Sequence, residues 1–164
     1  MAESGLHLLC FVSRISPELE SLDLRAIVEQ SAVRNRASDI GSFMVSDGGF
    51  FAQIIEGPFD SVYDLVARLR RDPRHTDMQV VRDHPSEQRE FSEWAMAAFD
   101  FDRSWGDSSP VRELRERLHS YLSASMLGSQ RELPHLFTEC LRQHQNHAIP
   151  ADILIEPRQS SRPR

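Results

Sequence analysis

A four-residue stretch, Ser46-Asp47-Gly48-Gly49, constrains the fold more than any other part of this chain. It lies between two short apolar runs, Ile40 to Val45 and Phe50 to Ile55. Glycine reaches positive φ without a steric cost, so the stretch has the chemistry of a tight hairpin turn. The two runs are therefore expected to pair antiparallel. In the returning run, alternation puts Phe51, Gln53 and Ile55 on one face and Phe50, Ala52 and Ile54 on the other.

On either side of the hairpin the apolar period changes. Leu24, Ile27, Val28 and Ser31 share one face of a helix expected between Leu22 and Val33. Val62, Leu65, Val66 and Leu69 make a second amphipathic helix, ended by Asp72-Pro73. Leu6 to Val12 is a short apolar run that reads as a buried strand. Asn35 to Asp39 is polar and reads as a loop, and Gly57-Pro58 is expected to break the returning strand. Met78 to Val81 and Glu93 to Phe99 are further strand candidates, the second weak because it is rich in alanine. The order β-α-β-β-α-β with one added strand predicts an α+β fold. It is a ferredoxin-like sheet with both helices on one face.

The character changes after Phe101. Val111, Leu114, Leu118, Tyr121 and Leu122 mark a third helix, and Leu133, Leu136, Phe137, Cys140 and Leu141 a fourth. Their apolar stripes need burial, either on the open face of their own sheet or on a partner chain. The expected organisation is a core domain over 1–102 and a helical extension over 103–155. A polar, proline-containing tail over 156–164 is expected to be disordered.

Composition narrows the function. The formal net charge is -6 and all 19 basic residues are arginine, scattered over helical stretches, so nucleic acid is not an expected partner. No apolar run approaches the ~20 residues of a membrane span. The start, Met1-Ala2-Glu3-Ser4-Gly5, lacks the positive charge of a secretory signal. Cys10 sits in an apolar run, where a buried, reduced thiol is expected, and a bridge to Cys140 is the lesser alternative. A cytoplasmic location is expected. His144 and His147 stand at i, i+3, but no cysteine or carboxylate completes a metal set at zinc-ligand spacing. No nucleophile elbow, phosphate loop, zincin helix or dinucleotide-binding loop is present, so no enzymatic activity is expected.

Three local elements recur in a telling order. They are Gln53-x-x-Glu56-Gly57, Asp72-Pro73-Arg74-His75, and Phe91-x-x-Trp94-x-Met96, preceded by Asn35. Together, with the strand and helix order, they resemble the BLUF family of blue-light receptors from about Leu6 to about Phe101. The resemblance implies a flavin, FAD or else FMN, slotted between the two helices over the sheet. Asn35 matches the asparagine that bonds the flavin's polar edge. Gln53 matches the glutamine whose amide switches partners around the ring. Arg74 and His75 match a cationic pair near the cofactor's polar edge and tail. Ile27, Ser31 and Phe51 would line the slot, and Trp94 and Met96 match the pair that carries the signal outward. The chemistry is sensible without the family. A flavin edge offers carbonyl acceptors and an N–H donor, which amide side chains match, and arginine's planar fork suits a phosphate tail.

Position 11 departs from that pattern. The family places a photoactive tyrosine there, and Phe11 keeps the ring but has no hydroxyl to donate a proton or bond Gln53. Gly41-Ser42 stands where the family has a Thr-Gly pair, and Ala52 replaces a larger apolar residue, so a reshaped slot is expected. Each site residue also has a plain reading. Gln53 could be a sheet residue satisfied by backbone, Asn35 a helix cap, Arg74 and His75 a solvated cluster, and Trp94 and Met96 core. The expected function is a flavin-binding sensor domain with an absent or altered photocycle. It would signal through an unidentified protein partner and as a homo-oligomer. The alternative is an interaction scaffold that has lost flavin.

Overall fold

The structure is a computed structural model that describes residues 5–16, 23–47, 49–90, 95–101, 109–124, 136–139, 142 and 154–157. Expectations for Trp94, the His144/His147 pair, the ends of the fourth helix and the tail from 158 lie outside the described residues.

Strand β1 (Leu6–Ile15) is central and buried on both faces, which explains its apolar run from Leu8 to Val12. It continues past the expected end at Val12 because Ser13 and Arg14 pair with Phe51 and Phe50 of the hairpin. Helix α1 (Leu24–Ala37) begins at Asp23, whose carboxylate accepts from Ala26 N at 3.0 Å. It buries Leu24, Val28, Ala32 and Asn35 as one stripe. The polar stretch at Asn35 was expected to be loop but remains helical to Ala37, because Asn35 extends that buried stripe by one more turn.

Strands β2 (Gly41–Asp47) and β3 (Phe50–Pro58) form the expected hairpin, with Asp47 opposite Phe50 and Gly49 at φ +92°. Gly57-Pro58 does not break β3. Proline is tolerated because it ends the strand, opposite Leu6, and then serves as the N-cap of helix α2 (Phe59–Arg71). Gly57 is required by close approach: a Cβ there would lie 2.8 Å from Asp39 O. Helix α2 carries Asp60 in its first turn and Arg68, Arg70 and Arg71 in its last, the charge order its dipole favours.

Strand β4 (His75–Ser86) is much longer than the Met78 to Val81 core expected for it, and pairs antiparallel with β1 through two register shifts. Strand β5 (Ala97–Asp100) is shorter than expected and pairs parallel with β2. The sheet order is β4-β1-β3-β2-β5-β6, where β6 (Leu154–Ile155) was not anticipated. The first four strands reproduce the ferredoxin-like order, and α1 and α2 cover one face.

Helix α3 (Ser109–Ala124) and the helical turn at 136–139 settle on the opposite face. Leu114, Leu118, Tyr121, Leu136 and Phe137 pack with Leu8, Cys10, Phe43, Ile54 and Phe99. The choice left open by sequence is thus resolved in favour of the chain's own sheet. Ala52 belongs to this second core, so it does not shape the slot as expected. Cys10 is a free, fully buried thiol, and burial pushes its pKa up to about 12.

Candidate functional site

A cleft of about 430 Å³ of empty space, continuous with solvent, lies between α1 and α2 above the sheet. Ile27, Ser31 and Asn35 reach it from α1, four residues apart on one stripe, and Leu65 and Leu69 face them from α2. Met44 on β2 and Phe51 and Gln53 on β3 form the floor. Arg74 and His75 close one side and Met96 another. Every residue expected to bind the cofactor therefore borders one space.

Asn35 is 2% exposed, and its Nδ2 donates to Ala95 O at 2.8 Å. The side chain ties α1 to the segment ahead of β5 and does not cap the helix. The left-handed residue beyond the helix is Asp39, at φ 56°. Gln53 is 4% exposed and makes no backbone bond with its amide. Its Nε2 donates to Ser42 Oγ at 2.6 Å and approaches Met96 Sδ at 3.8 Å. Ser42 is fully buried and its hydroxyl donates to Ile54 O at 3.1 Å.

Arg74 is not a free cation. Its Nε lies 3.0 Å from both Asp72 oxygens, and its Nη2 lies 2.5 Å from Oδ2. The guanidinium holds the Asp72 carboxyl below its ordinary range, and the carboxylate raises Arg74 in turn. Burial holds the pKa of His75 below the ordinary 6.5, with Arg74 adding in the same direction and Asp72 opposing, so the ring is neutral at pH 7. Its Nδ1 lies 2.8 Å from Ser13 Oγ, and its ring packs 5.1 Å from Phe51 and 6.0 Å from Phe11.

Phe11 does not border the cleft. It is fully buried beside Leu9, Ile55, Val62 and Val66. The remaining motif residues act on the frame. Glu56, 1% exposed, accepts from Glu90 N at 2.8 Å, and Arg89 reaches Asp39 Oδ2 at 2.7 Å. The Glu90 contact ties the residues after β4 to β3, and the Arg89 contact ties them to the α1–β2 turn.

Sequence reasoning singled out Ser42 only as a departure that reshapes the slot and Asp72 only as part of a recurring element, and it missed Ser13, Met44, Leu65 and Leu69 as parts of the site. Register counting from the hairpin turn could have found Ser42. Pairing Asp47 with Phe50 sets Met44 opposite Gln53, which makes Ser42 the diagonal neighbour of Gln53 on the same face. Ser13 carries no such signal, since its contact with His75 follows from the bulged β1–β4 register.

The family model for BLUF, sensors of blue-light using FAD, matches residues 6–97. The chain belongs to the BLUF family. BLUF domains are flavin-binding light sensors whose cofactor is FAD, and apolar walls, two amides and an arginine line the cleft. The photoactivated adenylate cyclase subunit beta of Euglena gracilis is 35% identical over 97 residues, which are 58% of this chain and 11% of that protein. The chain thus spans about a tenth of that relative's length. Two solved BLUF-type structures share the fold. BlsA in its ground state matches with a TM-score of 0.69 and 21% identity, covering 83% of this chain and 87% of its own. BlrB in its dark state matches with a TM-score of 0.64 and 24% identity, covering 87% and 97%. No helix among the described residues of this BLUF protein is long and apolar enough to cross a membrane.

Proposed function

We propose that this BLUF protein holds FAD between α1 and α2 and that Phe11 abolishes or alters the family's photocycle. The observation that carries the reading is the convergence of Asn35, Gln53, Arg74, His75, Phe51, Ile27 and Ser31 on one cleft, with a hydroxyl-free ring at position 11. Bound flavin would supply a ring that absorbs blue light. The chain's own residues do the rest. Ile27, Leu65 and Leu69 exclude water from the ring, Asn35 and Gln53 address its polar edge, and Arg74 with its Asp72 partner faces the tail. Phe11 has no proton to give. FAD and FMN share the ring these walls suit, and FAD is the expected cofactor.

The output is proposed to travel by protein–protein contact, to an effector or a second copy. Met96 supports this reading, because it touches the Gln53 amide and leads directly into β5. Trp94 is proposed to act with it.

An absorption spectrum of the freshly purified protein, before and after blue illumination, tests the proposal. Flavin bands without a reversible red shift are expected. A normal red shift would overturn the assignment of Phe11. A protein that stays colourless even with excess FAD would overturn flavin binding and favour the interaction-scaffold reading.

A further inference from the structure

We propose that Ser42 is a positioning residue that holds the Gln53 amide in one orientation, so that Gln53 offers the cleft its carbonyl oxygen alone. A serine hydroxyl has one proton to donate, and that of Ser42 is directed at Ile54 O, 3.1 Å away. Ser42 Oγ can therefore only accept from Gln53, which identifies the amide atom 2.6 Å away as nitrogen. The second amide proton has Met96 Sδ at 3.8 Å. Among the described residues nothing donates to Gln53 Oε1.

Reversing the amide would set a carbonyl oxygen against Ser42 Oγ. Relief would require Ser42 to abandon Ile54 O in a site with no water access at Ser42. Phe11, the cross-strand partner of Gln53, offers no competing hydroxyl. Ser42 is the one hydroxyl among the described residues bonded to this amide, and it replaces outright an amide partner that position 11 lacks. The consequence is a specificity rule: the wall at Gln53 accepts, so it matches the N–H of a ligand edge and disfavours a ligand carbonyl there.

The ligand half of this inference rests on the flavin reading, whereas the amide half does not. The test is therefore made on the side-chain amide itself, by solvent hydrogen exchange of the Gln53 Nε2 protons in the full-length protein, assigned with a Gln53→Glu reference. Ser42→Ala is expected to speed that exchange by about tenfold, the factor one hydrogen bond of ordinary net strength contributes. Ser42→Thr, which keeps the hydroxyl, is expected to preserve the slow exchange. In flavin-loaded protein, Ser42→Ala should also move the flavin absorption maximum while Ser42→Thr leaves it in place. Unchanged exchange in a folded Ser42→Ala protein would overturn the proposal. If Ser42→Ala does not fold, Ser42→Cys reads the same quantity, and slow exchange with that weak donor and acceptor would equally overturn it. A protein that binds no flavin leaves the exchange result standing, so the two failures are distinguishable.

Discussion

Phe11 and Gln53 are direct cross-strand partners in the β1–β3 ladder, on the sheet face that α1 and α2 cover. A hydroxyl added at position 11 would therefore enter the neighbourhood of the one amide at the floor of the cleft. Ser42 already occupies that amide's nitrogen.

Phe11→Tyr is expected to fold, with a loss of about 1–3 kcal/mol if the buried phenol goes unbonded and less if it bonds Gln53. Flavin-loaded Phe11→Tyr should gain a light-induced red shift, and Phe11→Tyr combined with Ser42→Ala a larger one, because the amide is then free to turn. Difference spectra under blue light check both. A flavin-loaded double variant without any shift would remove Phe11 and Gln53 from the photoactive pair.

The neutral His75 makes stability depend on pH. In the unfolded chain its imidazole titrates near ~6.5. In the folded chain burial lowers that value. Below about pH 6.5 the unfolded state binds more protons, so stability falls as the pH drops through this window. Asp72 behaves likewise lower down: its contribution is present above the unfolded value of ~3.9 and is lost as pH falls through the depressed folded value. Urea midpoints between about pH 7.5 and 5 should decline for the wild type, and less steeply for His75→Gln. Parallel slopes would show that His75 is not held neutral.

Leu118 tests where the C-terminal helix belongs. It is 1% exposed against the sheet face opposite the cleft. Leu118→Ala should cost about 2–5 kcal/mol in chemical denaturation, the range for a large buried side chain removed from a packed core. A loss well below 1 kcal/mol would mean that α3 does not pack on this face in solution.

Much of this protein was legible in its sequence, for a physical reason. The hairpin turn, the change of apolar period from two to about 3.6, and the side-chain alternation of β3 are local consequences of backbone geometry. They placed Phe51 and Gln53 on one face and Ile27 and Ser31 on one stripe before any tertiary contact was known. The resemblance carried by Asn35, Arg74, His75 and Met96 then placed these residues around a single site.

What only the tertiary structure decided depends on partners distant in the chain. Sequence could not tell that Asn35 would leave the helix end to bond Ala95 O, sixty positions away, or that Asp72 would neutralise Arg74. Nor could it show that burial keeps His75 uncharged, since a pKa responds to surroundings that many segments assemble. The two-residue β6 has too few positions to show a period, and α3 could have covered any apolar surface. Ser42 is the sharpest instance. As a letter it was a departure from a family pattern, and only the β2–β3 register put its hydroxyl within 2.6 Å of Gln53.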